Sequence, residues 1–147
     1  MKIIQNVIGG HQRSYVRFED LPDTDDTRIW VLRFAQSDGT WIGSAGVYRS
    51  GSNYYWTIAY NSGPYSNTQA TINADQWYEM EFYFDPTSNG KATLWINGAL
   101  ACELTGDFSG LGNIGRVYPC IGLEGNNTSA ITVYHDNYRV DDVRIGQ

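Results

Sequence analysis

Lysine is scarce. Lys2 and Lys91 are the only two in 147 residues, set against sixteen acidic residues and eight arginines, for a formal net charge of −6. The arginines stand singly along the chain. A nucleic-acid binder needs a basic stripe to neutralise phosphates and release their counterions. None exists here, which excludes nucleic acid as a partner. Cysteine is equally rare, with Cys102 and Cys120 alone. Two thiols without a Cys-x-x-Cys spacing do not make a zinc site. A disulfide would require their strands to be adjacent, and two separate free thiols are the expectation. His11 and His135 are the only histidines, and no Gly-x-Ser-x-Gly turn occurs, so a Ser-His-Asp triad has no support. No apolar run is long enough to cross a membrane as a helix. The opening MKIIQNVIGG carries one lysine and a broken apolar run, too short for a signal-peptide core. On this reading the chain is cytoplasmic or has had a signal removed.

Aromatics and glycine are what the chain has in quantity: eleven Tyr, five Trp, five Phe and sixteen Gly. Aromatic segments punctuated by Gly, Asn and Ser suit an all-β sandwich, and the length suits one domain over 1–147. Tyr78, Met80, Phe82 and Phe84 alternate with Glu79, Glu81 and Tyr83, the period of two of a strand with one buried face. The run DPTSNG then supplies a turn. In the next strand Leu94 and Ile96 point inward and Thr93, Trp95 and Asn97 outward. Asn97-Gly98 signals a type I′ hairpin. Further strands are expected at 15–19, 28–36, 40–49, 54–60, 69–72, 117–123, 131–140 and 143–145, with Trp30, Leu32 and Phe34 on one core face. Residues 1–10 supply a short edge strand. Loops are expected at 20–27, 61–66 and 107–115.

Three segments carry a resemblance. The run from Trp77 through the polar turn to Leu94-Trp95-Ile96-Asn97-Gly98 is similar to the "W…turn…L-W-I-[DN]-G" run of laminin-G-like and concanavalin A-like jelly rolls. Val133-Tyr134-His135-Asp136-Asn137-Tyr138-Arg139-Val140 resembles their closing strand, and Ser14-Tyr15-Val16-Arg17-Phe18 an earlier one. The resemblance spans most of 15–145 and implies a two-sheet antiparallel β-sandwich, an architecture shared by lectins, adhesion modules, glycosidases and lyases. Function must therefore come from sites. Glycan-handling relatives are mostly exported, which implies an extracellular setting. Relatives usually carry further strands before the Tyr15 element, so the domain reads as shortened at its N-terminus. An uncovered sheet edge invites pairing. Ile3, Ile4, Val7 and Ile8 can cover it within the chain or across a homodimer, and the dimer is the favoured expectation.

Four groups are candidates for function. Glu79 and Glu81 share a strand face and are the pair to name for a glycosidase, but they lack the E-x-D-x-x-E pattern of the glucanases of this fold. Asp136 is the metal candidate, because the resemblance implies a calcium ligand in the closing strand. Calcium needs six to eight oxygens, and Asp23, Asp25 and Asp26 form a second oxygen-rich group. Trp95 and Tyr83, with Glu81 beside them, form an outward aromatic pair suited to stacking on a sugar. Tyr54, Trp56 and Tyr60 form a second row, for which core packing is the stronger reading. Together these favour a non-catalytic, lectin-like module for an oligo- or polysaccharide. The alternatives are a hydrolase or lyase of the same fold and a protein-interaction module using an open sheet edge.

Overall fold

The alternation at 78–84 sets up the interior. In a computed structural model, which describes residues 2–7, 9–61 and 63–141 apart from the side chains of 2–7, Tyr78, Met80, Phe82 and Phe84 are all buried. They belong to β7 (Trp77–Asp85), the middle strand of a five-stranded sheet ordered β11 (Val133–Asp141), β2 (Gly10–Phe18), β7, β8 (Gly90–Ile96), β9 (Ala99–Gly106). The other sheet has six strands, ordered β1 (Lys2–Val7), β10 (Ile114–Glu124), β3 (Thr27–Ala35), β4 (Trp41–Ser50), β5 (Asn53–Tyr60), β6 (Tyr65–Ala70). Every pairing is antiparallel. The chain is thus the all-β, two-sheet sandwich expected of a concanavalin A-like jelly roll. Its only helical turn among the described residues is a 3-10 turn at Ser109–Leu111.

The inner faces meet in one aromatic core. Phe34 lies 5.3 Å from Phe82, Phe84 stacks on Phe108 at 5.7 Å, and Trp56 meets Tyr78 edge-on at 5.0 Å. Each fully buried side chain of this size stabilises the fold by ~1.5–3 kcal/mol. The β7–β8–β9 meander is as expected. Asn97 and Gly98 take φ of 51° and 82°, the positive values a type I′ turn demands.

β3 departs from simple alternation. Leu32 and Phe34 face the core, but Trp30 does not. Trp30 pairs with Gly46 and Leu32 with Ala45, leaving Val31 as the extra residue of a bulge, which resets which side chains face in. Trp30 is therefore turned away from the inter-sheet core cluster, yet it is still buried, at 2% exposure, beneath Tyr65 and Glu124. Gly46 is required here: a Cβ on it would stand 1.8 Å from the Ile29 carbonyl oxygen.

Two boundaries also differ from expectation. The sixth strand starts at Tyr65, inside the expected 61–66 loop, because the turn ends at Gly63-Pro64 and pairing with β5 resumes at once through Ala59 and Tyr65. β10 begins at Ile114 rather than Val117. The strand expected at 143–145 lies outside the described residues. Cys102 and Cys120 sit in different sheets and are both free. The Cys102 thiol contacts the Trp56 carbonyl and the Cys120 thiol that of Trp30. β1 pairs with β10 at 114–117 of its own chain, so the edge cover that motivated pairing between two copies is supplied within one.

Candidate functional site

The outer face of the six-stranded sheet collects aromatic rings and arginines. The Val31 bulge brings Trp30 there, next to Arg33 further along the same strand. Tyr118 lies opposite Arg33 across the β10–β3 ladder and Ser44 opposite it across β3–β4. Trp41, at the start of β4, closes the group, its ring 5.1 Å from Tyr118 and 39% exposed. Trp30, Arg33, Thr40, Trp41, Ser44, Asn61 and Glu124 line an open cleft of about 290 Å³.

The chemistry of that cleft is set by how its charges are used. Glu124 accepts hydrogen bonds from the Trp30 indole N–H at 3.1 Å and the Tyr65 hydroxyl at 2.7 Å. It also stands 3.9 Å from Arg28. The Arg28 guanidinium lies over both the Tyr48 ring, at 3.9 Å, and the Tyr65 ring, at 3.8 Å, and has Asp26 at 3.8 Å as a further acid. Arg28 is therefore neutralised. Arg33 is not. Its guanidinium packs 4.1 Å from the Trp41 ring centre and against Gly122, where a Cβ would approach its nitrogens to 2.7 Å. It makes no ion pair or hydrogen bond among the described residues, and its Nε is buried without an acceptor. Burial pulls its pKa below the usual arginine value, with Cys120, Tyr118 and the Glu124 carboxylate acting weakly the other way, the direction expected when desolvation outweighs the neighbouring negative charge.

The outer face of the five-stranded sheet holds the residues singled out from the sequence. Trp95 and Tyr83 do lie on it together, both half-buried, on neighbouring strands, with Glu81 directly opposite Trp95. They do not form an open platform. The His11 ring sits 4.6 Å from Tyr83 and 6.0 Å from Trp95, filling the space between them. Glu81 is 3% exposed and its Oε1 is 3.0 Å from His11 Nδ1. Glu79 accepts from the Tyr15 hydroxyl at 2.9 Å and stands 3.9 Å from Arg13. Both carboxylates of the candidate catalytic pair thus have protein partners.

Trp56 is 5% exposed and part of the core, so it presents no ring to a ligand. Tyr54 packs partly against the same core and donates its hydroxyl to the Pro22 carbonyl at 3.0 Å. It edges a larger cavity of about 570 Å³ with Ser52, Asn53 and residues 69–72, in which its own half-buried ring is the one aromatic. Asp136 is exposed and accepts from the Asn137 backbone N–H. Among the described residues no three His, Cys, Asp or Glu gather closely enough to hold a metal ion. Asp23 serves the structure of its loop. Its carboxylate accepts from Thr24, from Thr128 N–H and Oγ1, and from Ser129 N–H. Those bonds hold its pKa far below the usual carboxylate range and tie the 20–27 loop to the 126–129 turn.

The cleft residues escaped the sequence reading because strict alternation put Trp30 inside, and because Arg33 and Trp41 carry no spacing motif. The one available signal was Gly46, a glycine in mid-strand, which often marks a bulge or a close backbone approach.

No family model and no curated protein sequence matches the chain. Solved structures do. An alginate lyase in complex with alginate trisaccharide superposes with a TM-score of 0.66 at 13% identity, covering 97% of this chain and 73% of that one. A cellulose-induced protein gives 0.60 at 11%, over 95% and 70%. The heptameric SAP-like pentraxin from Limulus polyphemus gives 0.61 at 15%, over 95% and 66%. At such identities the likeness speaks for architecture: this chain shares their jelly-roll β-sandwich fold.

Proposed function

We propose that this chain is a carbohydrate-binding module without catalytic function, and that its saccharide site is the cleft on the outer face of the six-stranded sheet. The observation that carries the reading is Trp41, an indole 39% exposed at the rim of a cleft whose other walls include Ser44, Thr40 and Asn61. A flat ring meets the C–H face of a sugar, while hydroxyls and an amide meet its O–H groups, the mix of apolar wall and a few polar groups that defines small-ligand sites. Sugar-related proteins among the structural neighbours agree with this class of ligand.

The non-catalytic part rests on the carboxylates. Glycoside hydrolysis uses two flanking a bond. Glu124 is the one carboxylate lining this cleft, and it is held by Trp30 and Tyr65. The test is a glycan array probed with and without calcium, repeated with Trp41→Ala and Trp95→Ala. Binding that Trp41→Ala abolishes and Trp95→Ala spares supports the reading. The reverse pattern moves the site to the five-stranded sheet. Release of reducing ends or unsaturated uronides from a polysaccharide panel makes the chain an enzyme instead.

A further inference from the structure

We infer that the ligand of the cleft is an acidic glycan, with the carboxylate of a uronic acid residue received by Arg33. The inference rests on the saccharide reading of the cleft and adds the class of sugar.

Its basis is a guanidinium that no acid of the protein pairs with directly. Arg13, Arg17 and Arg28 have carboxylates within 4 Å, and Arg49 donates to the Gly51 and Pro22 carbonyls. Arg139 is exposed to solvent. Of the arginines among the described residues, Arg33 and Arg116 remain. Both are only partly exposed, and neither has a direct ion pair or hydrogen bond among the described residues, although Arg33 feels the charge of Glu124 and Arg116 that of Asp38 at longer range. Both lie on this one face. Tyr118 pairs with Arg33 and is two positions from Arg116 on β10, so a Trp41–Tyr118 aromatic pair stands next to both cations.

Arg33 is held by its planar faces rather than by its donors. Trp41 and Gly122 pack on it, and stacking of this kind leaves the N–H groups, which radiate in the guanidinium plane, still to be satisfied. A partly buried cation without an acceptor is costly, and the fold retains it in the lining of a cleft. A carboxylate matches the planar donor edge. A neutral sugar would leave Arg33 with no directly paired acid, only the charge of Glu124 at longer range. The setting also explains why composition hides this preference. With a net charge of −6 the molecule as a whole repels polyanions. At physiological salt, however, charges beyond about 8 Å are largely screened, and the cleft's own cations decide.

The test compares oligogalacturonate and oligomannuronate with their carboxyl-reduced, neutral forms by isothermal titration calorimetry. The whole chain is expected to bind at least one acidic oligomer about ten-fold or more tightly than its reduced form, with affinity falling as salt is raised. Arg33→Gln is expected to remove that preference, and Arg33→Lys to retain part of it. Equal binding of acidic and reduced forms overturns the inference and leaves the saccharide reading standing, a comparison that needs no variant. A folded Arg33→Gln protein that keeps the full preference overturns it as well. If the folded chain binds no oligomer, acidic or neutral, on the calorimeter or on a glycan array, the saccharide reading itself fails.

Discussion

The Arg33 guanidinium carbon stands 4.1 Å from the centre of the Trp41 ring. A cation over an indole face is attracted by the ring quadrupole, so each side chain fixes the other at the rim of the cleft. Trp41 is thereby oriented before any ligand arrives, which lowers the ordering cost of binding.

Two tryptophans should separate binding from stability. Trp41→Ala is expected to abolish saccharide binding while changing stability by about 1 kcal/mol or less, as for most surface substitutions. Trp56→Ala, in the core against Tyr78, is expected to cost about 3–5 kcal/mol. Urea unfolding of both variants beside an array measurement checks this. A Trp41→Ala protein that binds normally would falsify the proposed site.

Gly46→Ala should be the most damaging of the conservative changes. The new methyl meets the backbone oxygen of Ile29 rather than a side chain that can swing away. The loss should reach or exceed the ~1–3 kcal/mol typical of overpacking. Relaxation of the bulge would also displace Trp30, so binding should weaken in whatever fraction still folds. A melting temperature like that of the parent would show that the β3–β4 ladder tolerates a different register.

The Asp23 contacts predict an acid-dependent stability difference. Its folded pKa is depressed, chiefly by the hydrogen bonds from Thr128. The stabilisation is fully present above the unfolded carboxylate value of about 4 and is lost as pH falls through the folded value. Asp23→Asn should be less stable than the parent at neutral pH, because an amide N–H2 would face the Thr128 and Ser129 donors. The gap should narrow once the pH drops below about 4. Urea midpoints at about pH 7 and about pH 2.5 measure it, and an unchanged gap would contradict the assigned role.

Neither thiol should react readily in the folded protein. Burial pushes the Cys120 thiol up to about 11 and raises that of Cys102 as well, and the thiolate is the reactive form. A chromogenic disulfide reagent at about pH 8 should titrate both cysteines only after denaturation. Rapid labelling of the native chain would place at least one thiol in a more open setting.

The first strand gives an assembly prediction. Because β1 covers 114–117 of β10 within the chain, the intact protein is expected to be monomeric in light scattering. Removing residues 1–8 exposes that ladder and should promote self-association. A dimer that persists unchanged after the deletion would mean that another surface joins the copies.

Local chemistry in the sequence was enough to determine the class of fold and most of its elements. The alternation at 78–84, the Asn97-Gly98 turn and the burial of Leu94 beside an outward Trp95 are properties of neighbouring residues, and they survive into the structure. So does the pairing of Trp95 with Tyr83 on one face. What the tertiary structure alone decided was which rings and charges are available. His11 is seventy positions from Glu81, and only the β2–β7 register puts its ring between Tyr83 and Trp95. Trp30 changed faces because of one extra residue at Val31, a shift no period of two can anticipate. Arg33 reads in the sequence like any other arginine. Its lack of a directly paired acid depends on Glu124 being held by Trp30, Tyr65 and Arg28, and that arrangement exists only once β3, β6 and β10 come together.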